Sequence, residues 1–480
     1  MRRDIRFLLG SDPRSLRDLS PTLTVLEYLR IVEHMCGTKE GCAEGDCGAC
    51  TVVLGEPHGD TVRYRAVNAC ILFLPALDGK QVLTVEHLRG ADGTLHPVQQ
   101  AMVDRHASQC GFCTPGFVMS LFALYAAGNP INRATANEAL AGNLCRCTGY
   151  RPIVDAALDA CAVPSATDTR EAAAQLAALD TAEPLAMQHD GQSYHAPRSI
   201  DALAAILSRH PDALLLSGGT DVGLMVTKQH RHLPAIVALD TIPDLAHIEQ
   251  TGGMLRIGAA ATYEDALGAL EALYPDFGLL LRRLGSRQIR NRGTIGGNIG
   301  NASPIGDATP VLIALDATLL LRRDGGQRAL KLEDFFLGYR RTALEPGEFI
   351  ERIDVPLPQP DWEFRCYKVA KRFDQDISAV CAAFRLQIAD GRVRDIRIGL
   401  GGMAATPARA RNTEQTLIGQ RWTETALRTA MHTLDAEFAP ISDMRASAAY
   451  RGMVARNLLY KFFLETASAD APRTRLAVPA

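Results

Sequence analysis

The chain has 480 residues, a formal net charge of −3 and 47% hydrophobic residues. That length suits three or four domains that each bury a core, and the near-neutral charge gives no electrostatic case for nucleic acid or an anionic membrane surface as partner. The longest apolar runs, 117–128 and 308–321 (the second interrupted by Asp316), fall short of the roughly 20 residues a bilayer span needs.

The first apolar stretch, 5–9, follows Arg2 and Arg3, is broken by Arg6 and ends at Gly10, Ser11, Asp12 and Pro13. It is too short for an export leader. A cytoplasmic, reducing setting is therefore expected, in which the twelve cysteines are thiols and not disulfides. Residues 1–88 read as a small β-rich domain, with strand-like segments at 5–9, 51–54, 61–66 and 81–85. One amphipathic helix, 24–34, carries Val25, Leu29 and Val32 on its apolar side. Inside this domain runs Cys42-x4-Cys47-x2-Cys50, completed after nineteen intervening residues by Cys70. That is the spacing of plant-type [2Fe–2S] ferredoxins, where four thiolates hold two irons. Glycines beside Cys42 and Cys47 permit the positive φ angles with which a loop turns its N–H groups toward sulfur. Structural zinc is the competitor. It usually takes two C-x2-4-C knuckles, which neither this run nor the C-x-C pair further on resembles.

From 89 to 164 the pattern becomes helical, with helices expected at 97–106, 114–127, 135–141 and 153–162. Pro115 falls in the first turn of the second, where a missing N–H costs nothing. Cys110-x2-Cys113 and Cys145-x-Cys147 lie where these helices start, with positive dipole ends near an anionic cluster. Two four-cysteine sets on one chain suggest a wire for single electrons, which implies a donor and an acceptor. Cys36, Cys161, Cys366 and Cys381 have no partner at ligand spacing and read as buried free thiols. The twelve histidines show no metal cluster.

Residues 165–187, rich in Ala, Thr, Asp and Glu, read as a linker with one exposed helical stretch at 169–178. The mixed α/β region 188–358 contains two glycine-rich loops. The first is Leu215, Leu216, Ser217, Gly218, Gly219, Thr220, Asp221 and Val222; the second is Thr294, Ile295, Gly296, Gly297 and Asn298. Each offers consecutive unhindered N–H groups and a hydroxyl, as a pyrophosphate needs. A tight turn is the simpler reading of either loop alone; together, beside two cysteine sets, they point to a flavin dinucleotide. Gly296 is expected to leave room for the pyrophosphate. The run Gly399-Leu400-Gly401-Gly402-Met403-Ala404 fits G-x-G-x-x-A formally, but Pro407 follows where a helix should open, so it reads as a loop. A proline-rich joint at 355–360 leads into an α+β unit, 359–466, and 467–480 has the composition of a flexible tail.

On three motifs the chain resembles a known family: the run 37–51 around Cys42, Cys47 and Cys50; Gln109-Cys110-Gly111-Phe112-Cys113-Thr114-Pro115-Gly116; and Asn143-Leu144-Cys145-Arg146-Cys147-Thr148-Gly149-Tyr150. It is similar to the small iron–sulfur and flavin subunit of bacterial xanthine dehydrogenases, in the molybdenum hydroxylase family, over nearly its whole length. The resemblance implies a multidomain α+β fold: a β-grasp plant-type ferredoxin domain (1–88), a four-helix [2Fe–2S] domain (89–164), a linker (165–187), and a two-part α/β FAD-binding domain of the PCMH/vanillyl-alcohol-oxidase type (188–358). A C-terminal α+β domain like that of CO dehydrogenase flavoproteins (359–466) and a tail (467–480) complete it.

It further implies that Cys42, Cys47, Cys50 and Cys70 hold one cluster, and that Cys110, Cys113, Cys145 and Cys147 hold the other. The two loops 215–222 and 294–298, with Asp307 and Lys368, would contact FAD, and Gln109 and Cys147 would face a partner's pterin. The segment 371–377 would border the flavin on the acceptor side, carrying Phe373 where eukaryotic enzymes have arginine. The implied role is the electron-transfer subunit of an NAD-dependent xanthine dehydrogenase in purine catabolism. Electrons would pass from molybdenum in a large molybdopterin-binding subunit through two clusters to FAD and NAD, in an (αβ)2 heterotetramer. FAD accepts single electrons and releases a pair, which places it at the NAD end. No residue of this chain would carry out hydroxylation. An aldehyde or N-heterocycle as substrate would leave this chain unchanged, because the substrate pocket would be the partner's. A non-catalytic iron–sulfur scaffold is a third reading, against which the two flavin loops count.

Overall fold

The computed structural model describes residues 1–163, 165 and 167–468. Pro164, at the expected end of the second domain, and positions 469–480 of the expected tail lie outside the described residues. In the strand Ile5–Leu9, side chains alternate between two faces, as a pleated backbone requires. Ile5, Phe7 and Leu9 enter one core, while Leu8 enters a smaller one with Val62, Ala173 and Leu176. This strand sits in a five-stranded sheet, in the order Asp12–Leu16, Ile5–Leu9, Gln81–Leu83, Thr51–His58, Thr61–Asn68. The Ile5–Leu9/Gln81–Leu83 pair is parallel and the others are antiparallel. Asp12–Leu16 was not expected as a strand; it lies at the sheet edge, where Pro13 is tolerated.

The first helix starts at Thr24, whose side chain accepts from Glu27 N while Glu27 returns a bond to the Thr24 backbone, a capping box. After Glu27 the backbone widens into a π-turn, Tyr28–Val32. Val25, Leu26, Tyr28 and Leu29 are buried, but Val32 is 51% exposed. The expectation that Val32 lies on the apolar side fails because a 3.6-residue period does not hold through π winding.

Four helices follow: Pro97–Asp104, Thr114–Ala126, Arg133–Leu140 and Arg151–Cys161. Thr114–Ala126 is buried on nearly every side, as a uniformly apolar helix should be. The stretch read as a linker holds a helix, Arg170–Leu179, and this helix is not simply exposed. Ala173 and Leu176 are buried over the reverse face of the first sheet, and Thr169 Oγ1 accepts from Val62 N at 3.1 Å.

Besides the two-stranded pair Phe336–Gly338 and Arg341–Thr342, the flavin-type region has two larger sheets. One runs Leu185–His189, Gln192–Ala196, Ala235–Ala238, Leu214–Leu216; the other runs Ile248–Thr251, Met254–Gly258, Phe349–Pro356, Thr318–Arg323, Gly326–Lys331. The C-terminal unit is an antiparallel sheet, Trp362–Val369, Val380–Ala389, Arg392–Gly401 and Ala408–Arg409, with the helices Arg411–Leu417, Glu424–Glu437 and Ala448–Thr466. Gly399 and Gly401 belong to a strand and not to a loop. A Cβ on Gly399 would stand 2.0 Å from Pro310 O, so glycine there permits close packing against the helix Ala308–Ala314. Among the described residues no helix is long and apolar enough to cross a membrane.

Candidate functional site

The first cysteine loop is wound around one sulfur. Ala43, Gly45 and Gly48 take φ angles of 55°, 77° and 69°, and the N–H groups of Glu44, Asp46 and Cys47 each donate to Cys42 Sγ at 3.4 Å. The Cys47 and Cys70 thiols face the same sulfur, and with the loop amides they hold Cys42 well below the usual thiol range. Cys50 faces Cys70 and accepts from Asn68 Nδ2 at 3.9 Å. A Cβ on Gly41 would stand 2.8 Å from Cys47 Sγ, so glycine keeps that sulfur accessible.

The second set is built at helix starts. Cys113 is the N-cap residue of Thr114–Ala126, and Cys145 Sγ accepts from Thr148 N at 3.4 Å. Cys113 faces Cys145, and burial followed by that neighbour pushes its thiol up to about 12. Cys110 faces Cys147. Among the described residues no group of three or more His, Cys, Asp or Glu converges as on a single metal ion. The sulfurs of the first set adjoin in series, Cys47 and Cys70 on Cys42 and Cys50 on Cys70, while those of the second adjoin as Cys113 with Cys145 and Cys110 with Cys147. Thiolate-directed amides and an all-sulfur donor set fit a cluster with two irons at both places. Of the four cysteines read as buried free thiols, Cys366 and Cys381 are buried, but Cys36 is exposed and Cys161 half-buried.

The two sets share a boundary. Leu144 N donates to Cys47 O at 2.9 Å, and Asn143 Nδ2 donates to Gly48 O at 3.0 Å. Cys110 and Cys147 are exposed, as is Gln109, next to Phe112, Leu144 and Tyr150, which are 48%, 41% and 40% exposed.

The first set also adjoins the first glycine loop. That loop opens into the short helix Val222–Thr227, where Thr227 Oγ1 donates to Ala43 O and Lys228 Nζ to Cys42 O, both at 2.8 Å. A Cβ on Gly223 would stand 2.5 Å from Ile71 O, one residue after Cys70. The two glycine loops, distant in sequence, meet. Ser217 and Thr294 share a hydroxyl hydrogen bond of 3.1 Å, and a Cβ on Gly218, at φ +72°, would lie 1.8 Å from Arg292 O. Gly296 does not leave the expected room: its Cβ would strike Ala259 O at 2.4 Å, so its glycine serves packing inside the protein. Thr294 Oγ1 also accepts from Gly297 N at 3.0 Å.

Asp307 and Lys368 form a buried ion pair, with side chains 7% and 1% exposed. Ser378 ties it together, donating to Asp307 Oδ1 while accepting from Lys368 Nζ at 2.9 Å. Tyr263, which sequence reading missed, has a buried hydroxyl without a partner among the described residues; burial, then Asp307, pushes that hydroxyl above its ordinary range. A glycine-lined junction with an orphaned buried hydroxyl fits a bound polar group such as a flavin dinucleotide. The segment 371–377 lies alongside. Arg283 sits 4.3 Å over the Phe373 ring and donates to Lys368 O at 3.2 Å, so the cation comes from a different element. Arg372 approaches Asp46 of the first cysteine loop at 3.9 Å.

Residues 186–358 match the family described as "FAD binding domain in molybdopterin dehydrogenase", 365–466 the "CO dehydrogenase flavoprotein C-terminal domain", and 84–158 the "[2Fe-2S] binding domain". A solved chain of carbon monoxide dehydrogenase from Oligotropha carboxidovorans is 31% identical, with a TM-score of 0.53; the match covers 56% of this chain and 94% of that one. This chain belongs to the molybdenum hydroxylase family. It carries [2Fe–2S] and FAD binding domains, corresponding to the family's electron-transfer region. Xanthine dehydrogenase from Emericella nidulans is 33% identical over 97% of this chain, and aldehyde oxidase 2 from Cavia porcellus is 31% identical over 94%. This molybdenum hydroxylase chain spans 39% and 38% of those two relatives.

Proposed function

We propose that this chain is the electron-transfer part of a xanthine dehydrogenase. It would carry electrons from a molybdopterin-binding partner, through two [2Fe–2S] clusters and FAD, to NAD. The observation that carries this reading is the unbroken series of loop contacts, from exposed Cys110 and Cys147, through the Leu144–Cys47 bond, to the Thr227–Ala43 bond at the first glycine loop. Support for the substrate comes from relatives named xanthine dehydrogenase that match 92–97% of this chain. Those named aldehyde oxidase match almost as well, which keeps an aldehyde as the second reading.

In this reading Cys42, Cys47, Cys50 and Cys70 would hold one cluster and Cys110, Cys113, Cys145 and Cys147 the other, which would supply single-electron transfer, with bound FAD supplying the coupling of single electrons to a pair. The residues of the chain prepare for them. Glu44, Asp46 and Cys47 amides stabilise negative charge on the Cys42 sulfur, as charge-assisted hydrogen bonds do. Residues 215–222 and 294–298 would hold the flavin at their junction, with Asp307 and Lys368 as a fixed charge pair beside it. Gln109 and the exposed apolar rim of Phe112, Leu144 and Tyr150 would face the partner, and Arg283 stacked on Phe373 would border the acceptor side. A dimer of heterodimers follows the general prevalence of two-fold symmetry.

The purified chain should oxidise NADH with an artificial dye but should not hydroxylate xanthine. Addition of the molybdopterin partner should give xanthine-dependent NAD reduction and should protect 109–113 and 143–147 from solvent exchange. Xanthine hydroxylation by the chain alone, or a complex with both loops unprotected, would overturn this reading.

A further inference from the structure

Gln288 is 1% exposed on the short helix Arg287–Arg290, six residues before Thr294, yet its amide reaches out of the flavin-type region. Nε2 lies 3.2 Å from Thr51 Oγ1, 3.2 Å from Ser120 Oγ and 3.0 Å from Asn143 Oδ1. Each acceptor belongs to a different part of the cysteine machinery. Thr51 follows Cys50, Ser120 lies on the helix that Cys113 caps, and Asn143 leads into Cys145.

These acceptors are themselves joined. Thr51 Oγ1 and Asn143 Nδ2 donate to Gly48 O at 2.6 and 3.0 Å, and Ser120 Oγ donates to Asn143 Oδ1 at 2.6 Å. Gly48, between Cys47 and Cys50, is packed so closely that a Cβ on it would meet Gly142 O at 2.2 Å. The residues after Gln288 repeat the pattern. Arg290 pairs with Glu138 of the helical domain at 3.0 Å, and Asn291 Nδ2 donates to Ala66 O of the first sheet at 2.8 Å. The second glycine loop begins immediately after.

We infer that Gln288 is a positioning residue, fixing the two cysteine loops relative to each other and to the flavin loops, and so setting how fast electrons cross between them. The inference rests on the proposed electron-transfer role. A buried amide whose two N–H donors are shared among three linked acceptors ties that network to the flavin-type region; its removal takes the tie away and weakens the bonds that remain among Thr51, Ser120 and Asn143, and the loops can then relax apart. Electron tunnelling falls steeply with distance, so a small relaxation is kinetically visible.

The test uses the full chain carrying its clusters and flavin, with Gln288→Met, of similar length but without hydrogen-bonding capacity, and Ser120→Ala, which removes one partner within a helix that tolerates alanine. Spin–spin interaction between the two dithionite-reduced clusters is measured by EPR, and electron passage between clusters and photoreduced flavin by fast absorbance. Iron and flavin contents should stay at wild-type values. The spin–spin splitting should change, and electron passage should slow on the order of tenfold for Gln288→Met, with a smaller change in the same direction for Ser120→Ala. Unchanged splitting and rate in Gln288→Met, or in Ser120→Ala should the first variant not fold, would overturn the inference and leave the proposed function standing. A wild-type chain without two cluster signals would instead overturn both.

Discussion

Gly218 and Gly219 are adjacent, both have positive φ, and yet they should respond differently to alanine. In Gly218→Ala the new Cβ would lie 1.8 Å from Arg292 O and 2.6 Å from Arg292 C. A relaxed C···O contact is about 3.3 Å, so the two glycine loops must part by roughly 1.5 Å. That displacement breaks the 3.1 Å Ser217–Thr294 hydrogen bond, a loss of about 1 kcal/mol. The left-handed backbone adds about 1–2 kcal/mol and the forced repacking about 1–3 kcal/mol, giving roughly 3–6 kcal/mol in all. In Gly219→Ala the nearest atom is Leu216 Cδ1 at 3.4 Å, an ordinary contact, so only the backbone contribution of about 1–2 kcal/mol remains. The variants should therefore differ by roughly 2–4 kcal/mol, or about 4–16 °C in the melting of a unit of this size. Calorimetry of both variants, with flavin content after gel filtration, makes the comparison; Gly218→Ala should lose flavin and Gly219→Ala should keep it. Variants that melt within about 2 °C of each other and bind flavin alike would show that contact between the loops does not define the cradle.

The two cysteine sets should be separable. Cys47→Ser should remove one of two [2Fe–2S] EPR signals and Cys113→Ser the other, whereas loss of both signals from either folded variant would indicate a single centre. Asp240 gives a pH-dependent test. Burial raises its carboxyl, but Lys80 and Arg292 outweigh that and hold it below the ordinary range. A depressed folded value means that its stabilisation is present above the unfolded value of about 3.9 and is lost as pH falls through the folded one. Asp240→Asn, which leaves buried Arg292 without its 2.6 Å partner, should cost roughly 3–5 kcal/mol at neutral pH. In acid unfolding the gap from wild type should close below about pH 4; a gap constant across that range would refute the assignment.

Local patterns were legible in the sequence wherever spacing along the chain carries the signal. The four helices around the second cysteine set lie within a few residues of their expected bounds, because apolar periodicity and Pro97, Pro115 and Pro152 mark their starts. Val32 escaped this reading because π winding rotates it outward, and Asp12–Leu16 escaped because a polar edge strand with proline has no apolar alternation. The glycine loops showed that side chains are missing but not what occupies the space. Only the fold reveals that Gly218 faces Arg292 O while Gly296 faces Ala259. Gln288, Tyr263 and Arg283 lie outside every motif, and each acquires its role from residues far away in sequence, so no local pattern could mark them.

The helix Arg170–Leu179 determines where this polypeptide could be divided. A break ahead of Arg170 would strip Leu8 and Val62 of the cover that Ala173 and Leu176 provide. A break between Asp180 and Glu183 leaves that cover with the sheet it protects. Backbone contacts bridge such a break, beside the 3.2 Å ion pair of Arg198 with Asp180: Arg2 N donates to Pro184 O at 3.1 Å, and Ala186 N donates to Arg2 O at 2.8 Å. Severed there, the two fragments would retain a β-type seam through which to reassemble. Fission into separately synthesised subunits would thus be open to this architecture at one short stretch and closed just upstream of it.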